Sequence, residues 1–110
     1  MFYARALGFD VLATFADHAG IDGVILGHAN WPYHLEFTRR RGDPLVPRPT
    51  DEDLLVFYLA DRSRWSAAVQ RIRDAGASVV RSSNPYWNER GLTFEDPDGY
   101  RIVLENAPWP

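Results

Sequence analysis

Side chains alternate over residues 100–105, with Tyr100, Ile102 and Leu104 on one side and Arg101, Val103 and Glu105 on the other, Val103 alone departing from the apolar–polar order. A period of two predicts a strand with one face on a core and a polar face turned elsewhere. The four residues before it, Asp96-Pro97-Asp98-Gly99, suit a type I turn: aspartate opens it, proline pre-sets φ, glycine closes it. With a strand at 92–95 they make a hairpin. The same alternation over 33–38 sets Tyr33, Leu35 and Phe37 against His34, Glu36 and Thr38.

The remaining elements follow from breaks in periodicity. Residues 1–7 pair Phe2 with Ala6 and Tyr3 with Leu7 at helical spacing, and Gly8 ends that helix. Strands are expected at 9–16 and 23–26, with a turn at 17–20 and a loop over 27–32. Residues 42–53, with three prolines, form a linker. Residues 54–59 are apolar on both faces, as in an interior strand. Asp61 or Ser63 caps a helix whose stripe is Trp65, Ala68, Val69, Ile72 and Ala75, ended by Gly76. A strand at 77–81 and an aromatic-rich loop over 82–91 lead back to the hairpin.

The two halves repeat as helix, glycine and three strands. Glu36 lies 28 residues after Gly8, and Val103 lies 27 after Gly76. They are therefore equivalent positions on the last strand of each half. The expected architecture is α+β: paired βαβββ modules, 1–41 and 54–110, in one domain, forming a cupped mixed sheet with helices outside. Only the second helix is preceded by a strand. The slot before the first is expected to be filled by upstream residues or by another chain, since an unpaired edge invites a partner.

Composition narrows the function classes. With 45% hydrophobic and 25% charged residues and a net charge of -3, the chain is ordinary for a globular domain and carries no nucleic-acid footprint. The run Arg39-Arg40-Arg41 is expected in a solvated loop. The absence of cysteine removes disulfides, thiolate ligands and thiol nucleophiles. No apolar run approaches the roughly 18 residues of a membrane span and no signal pattern opens the chain, so a soluble, cytoplasmic protein is expected.

Phe-Tyr-x-x-x-Leu-Gly-Phe at 2–9, Tyr-His-Leu-Glu-Phe at 33–37 and Asp-Pro-Asp-Gly-Tyr-Arg-Ile-Val-Leu at 96–104 together resemble the vicinal oxygen chelate superfamily. That group includes glyoxalase I, bleomycin-resistance proteins, fosfomycin-resistance enzymes and extradiol dioxygenases. The resemblance implies paired βαβββ modules around a cavity, a small-molecule ligand and a homodimer. It also implies metal ligands on the first and last strand of each module. The first of those strands is not in this sequence, the second ligand falls on Glu36, and the others fall on or near Leu54 and on Val103, which offer no donor. This pattern resembles the metal-free, ligand-sequestering branch.

The residues leave several chemistries open. His34, Glu36 and Glu105 could hold a divalent ion through one imidazole and two carboxylates. Arg101 could instead pair with Glu36 or Glu105, leaving a satisfied pocket floor. Glu36 could also serve as a metal-free catalytic base, its pKa raised by apolar walls. Tyr58, Tyr86 and Trp87 either stack on a ligand or cap the core. His18 and His28 are expected on surface loops. The sequence therefore predicts a small-molecule binding protein lined by His34, Glu36, Tyr58, Tyr86, Trp87, Arg101 and Glu105, with no obligatory cofactor. The alternative is a divalent-metal-dependent, glyoxalase-like lyase or isomerase.

Overall fold

The computed structural model describes residues 1–44 and 47–109. Helix α1 (Phe2–Leu7) ends at Gly8, whose left-handed φ of 68° is easy for glycine and costly for other residues. It leads into β1 (Asp10–His18), β2 (Ile21–Gly27) and β3 (His34–Arg40), an antiparallel sheet in that spatial order. The second half is β4 (Leu54–Tyr58), α2 (Arg62–Asp74), β5 (Ser78–Val80), α3 (Tyr86–Glu89), β6 (Gly91–Glu95) and β7 (Arg101–Glu105). Its sheet runs β4-β7-β6-β5, with β4 parallel to β7.

The repeat is therefore real at the level of topology: a complete βαβββ unit follows an αβββ unit. In the second unit β4 occupies the outer edge of β7. Among the described residues no strand occupies the corresponding edge of β3. Between β3 and β4 lies a groove of about 720 Å3, lined by Phe2, Tyr3, Phe37, Leu55 and Arg101 among others.

The core lies between the helices and the inner faces of both sheets. Tyr3, Ala6, Phe9, Leu26, Ile72, Phe94, Ile102 and Leu104 form its buried centre. The α2 stripe packs there as its spacing predicts, with Ile72 fully buried and Trp65, Ala68, Val69 and Ala75 around it. Asp61 is the N-cap, accepting from the Arg64 amide at 2.9 Å. Trp65 Nε1 donates to the Leu104 carbonyl at 2.8 Å, tying α2 to the last strand.

One long-range bond links the chain's two signature stretches. The Tyr3 hydroxyl donates to Asp96 Oδ2 at 2.6 Å. The other oxygen of Asp96 accepts the amides of Asp98 and Tyr100, at 2.8 and 2.9 Å. The turn's first aspartate thus organises the hairpin and anchors α1 to it. Burial, helped by the Asp96 carboxylate, pushes the Tyr3 phenol above its ordinary range.

Several expectations need correction. The segment read as loop over 82–91 contains α3, and β1 and β3 extend further than predicted. Arg39 and Arg40 end β3 rather than lying in a loop, and the arginine run is ion-paired, Arg41 to Asp22 at 2.8 Å and Arg40 to Asp43 at 3.6 Å. His18 ends β1, and His28 meets Asp10 at 3.1 Å beside the Phe9 and Trp31 rings. The largest change concerns β7. Its second face, expected to be polar and to line a pocket, is sealed at two of its three positions, with Val103 0% and Glu105 1% exposed.

Candidate functional site

β7 is the interior strand from which the site is built. Glu105 is paired with Gly91 of β6 and lies beside Tyr58 of β4. Paired residues on neighbouring strands project to the same face. That face is opposite Ile102 and Leu104, which pack in the core with α2. Gly91 is required here: a Cβ at that position would run into Glu105 Oε1 and lie 2.8 Å from the Leu104 carbonyl oxygen and 3.1 Å from that of Trp87. The carboxylate of Glu105 therefore occupies the space that the missing side chain leaves.

Glu105 Oε1 is buried and has no hydrogen-bond partner. Thr93 Oγ1 is in the same condition, and Thr93 pairs with Val103, so it shares the face of Glu105. Ser82 Oγ is the third buried oxygen without a partner. The Ser82 backbone is held by a reciprocal clamp, its amide donating to Asn88 Oδ1 at 3.0 Å and its carbonyl accepting from Asn88 Nδ2 at 2.9 Å. Orphaned buried oxygens cost stability and are scarce in native proteins. Glu105 takes part in no ion pair among the described residues, although Arg90 and Glu89 lie close enough to act on it. Burial raises its pKa above the ordinary carboxylate value; Arg90 opposes the shift and Glu89 adds to it.

Aromatic rings gather on this side of the sheet. Tyr58 lies 6.3 Å from Trp87 and 5.2 Å from Trp109, both edge-on, and Tyr86 is 4.9 Å from Trp87. Trp109 is 76% exposed and Tyr86 is exposed at its rim. The Tyr58 phenol is shifted upward, first by desolvation and then by Tyr86 and Glu105.

The residues expected to share one pocket divide into three groups. Tyr58, Tyr86, Trp87 and Glu105 belong together. His34 and Glu36 meet each other at 3.1 Å on β3, with both side chains about half exposed. Arg101 pairs with Asp51 at 3.3 Å and Glu95 at 3.6 Å, not with Glu36 or Glu105. The desolvated carboxylate is thus Glu105 and not Glu36. β7 is flanked on both sides and carries Glu105 against Gly91, whereas among the described residues β3 pairs on one edge only. Trp109, Gly91, Thr93 and Ser82 were missed. The hairpin register held a signal for Gly91 and Thr93, since pairing about the Asp96–Gly99 turn sets them opposite Glu105 and Val103.

The donor set does not fit a chelated metal. Among the described residues no three His, Asp or Glu side chains are grouped to hold one. His34 and Glu36 supply two donors, Glu105 is not with them, and Leu54 and Val103 supply none, short of the three protein ligands of catalytic zinc sites.

Comparison with known proteins gives this geometry a context. Residues 1–38 match the model of the YycE-like N-terminal domain and residues 52–106 that of the YycE-like C-terminal domain. The uncharacterized protein YycE of Bacillus subtilis strain 168 is 41% identical over 106 residues, covering 96% of this chain and 76% of the relative. The chain belongs to the YycE-like family. A crystal structure of a Bacillus subtilis YycE protein of unknown function superimposes with a TM-score of 0.89 at 39% identity, covering 99% of this chain and 80% of that one. More distant solved structures share the fold. Leishmania major glyoxalase I matches with a TM-score of 0.69 at 22% identity, over 96% of this chain and 74% of that one. A fosfomycin resistance protein from Listeria monocytogenes, complexed with Mn(II), matches with a TM-score of 0.62 at 15% identity, over 97% and 77%. The YycE-like chain thus has the vicinal oxygen chelate fold expected from its motifs.

Proposed function

We propose that this YycE-like chain is a small-molecule binding protein that takes its ligand at the second sheet, around Glu105, Tyr58, Tyr86 and Trp87, without an obligatory metal. The observation that carries this reading is the pair of buried, unpartnered oxygens of Glu105 and Thr93 on one sheet face beside an aromatic cluster. Such groups are stabilised when a ligand supplies the missing hydrogen bonds, and aromatic faces supply contact area with little entropy to lose. The glyoxalase-like alternative needs a donor set that His34, Glu36 and Glu105 do not assemble here. His34, Glu36 and Arg101 then stand outside the first contact layer. A homodimer fits the same reading, because Val11 and Leu12 of β1 leave 54% and 41% of their surface exposed, as does Tyr33 with 48%.

The test is a thermal-shift screen of a chemically varied compound panel, in chelator-treated protein. A ligand present at 100 times its Kd adds about 2.7 kcal/mol of stability. At least one compound should raise Tm in the parent and lose that effect in Trp87→Ala. A panel with no such compound refutes the proposal.

A further inference from the structure

The character of the proposed site narrows the class of ligand. The charged group on the sheet face beside the Tyr58 phenol and Thr93 is a carboxylate. Glu105 is 1% exposed, and its Oε1 is without a partner and lies over Gly91. No arginine in the described structure is ion-paired to it: Arg101, on the same strand face, is taken by Asp51 and Glu95, and Arg90 acts on it only from outside ion-pair distance. Around it stand Tyr58, Tyr86, Trp87 and Trp109, in edge-on contacts 4.9–6.3 Å apart. An edge-on pair covers one face of one ring and does not stack the rings face to face, and ring faces carry the negative end of the aromatic quadrupole. A buried acid with no hydrogen-bond or ion-pair partner, beside a cluster of aromatic rings, asks for a desolvated positive charge. An anion would meet repulsion from both. A neutral ligand would leave the carboxylate uncompensated.

We propose that this site selects organic cations, holding an amine or quaternary ammonium group between the aromatic faces and beside the Glu105 carboxylate. This rests on the small-molecule reading above and adds to it the charge of the ligand. Three of the four rings are carried by segments outside the sheet. Trp87 and Tyr86 belong to the four-residue helix α3, which has no side-chain cap, and Trp109 follows the last strand. These rings stand outside the strand pairing that holds Glu105.

The experiment compares choline with its uncharged isostere 3,3-dimethylbutan-1-ol, titrated by tryptophan fluorescence and calorimetry against the full chain. Choline is expected to bind at least tenfold more tightly, and Glu105→Gln to bring the ratio close to one. Equal affinities in the parent, or a preference that survives in E105Q, overturn the cation assignment. Should E105Q not fold by circular dichroism, Trp109→Ala substitutes for it, since that side chain is largely exposed. Removing Trp109 must weaken choline more than the alcohol, and equal weakening counts against the assignment. If neither probe binds but an uncharged or anionic panel compound raises Tm in a Trp87-dependent way, the cation assignment fails and the small-molecule reading stands. If no compound of any charge does so, both fail.

Discussion

Gly91→Ala tests the steric basis of the site without altering any charged or aromatic group. The new Cβ would be driven into Glu105 Oε1 and would lie 2.8 Å from the Leu104 carbonyl oxygen and 3.1 Å from that of Trp87. The carboxylate can rotate, although it is buried and has little room. The two carbonyls belong to backbone, and Leu104 sits in an interior strand of its sheet. Overpacking of this kind costs about 1–3 kcal/mol. Against it stands a gain of roughly 0.4–1 kcal/mol from stiffening the unfolded chain. The net expectation is a loss of about 1–2 kcal/mol which, at about 4–8 °C per kcal/mol for a chain of this size, is a fall in Tm of about 4–16 °C. Equilibrium urea unfolding measures it directly. The double variant Gly91→Ala, Glu105→Ala removes the worst contact and leaves the carbonyls, so it should recover part of the loss relative to the sum of the single variants. A coupling of at least about 0.5 kcal/mol is expected for residues in contact. The reasoning is refuted if Gly91→Ala is neutral or stabilising, or if the two changes simply add.

Three further outcomes follow from other contacts. Tyr3→Phe deletes the hydroxyl that donates to buried Asp96; a hydrogen bond to a charged acceptor is worth about 1.5–3 kcal/mol, so denaturant titration should show a loss in that range. Glu105→Gln should change how stability depends on pH. Since folding raises this acid's pKa, its favourable neutral form is present below the ordinary value of 4.5 and is lost as pH rises through the higher folded value. The parent should therefore weaken relative to the variant as pH increases from that point, by at most about 1.4 kcal/mol per pH unit, and a flat difference would contradict the assigned burial. His34→Ala and Glu36→Ala remove an exposed pair and should each shift stability by less than about 1 kcal/mol; a large fall in either would mean the pair is buried.

How much of this protein was legible in its residues depended on the range of the forces involved. The α2 stripe, its Asp61 cap, the Asp96–Gly99 turn and the twofold repeat rest on neighbours a few positions apart, and each appears at or near its expected place. So did family membership, because the motifs at 2–9 and 96–104 are local strings. The tie between them, Tyr3 to Asp96, spans 93 positions and has no local signature.

The sequence by itself determined which faces exist: period two assigns His34 and Glu36 to one side of a strand, and Arg101, Val103 and Glu105 to one side of another. It could not determine what covers each face. That was decided by strand order, which among the described residues leaves β3 paired on one edge and sets β7 between β4 and β6. It was also decided by the Asp51 and Glu95 carboxylates, which take Arg101 away from the site. Two glutamates of the same chemistry thus part company, Glu36 half in water and Glu105 sealed, because desolvation depends on everything packed around a group and alternation records only the direction in which it points.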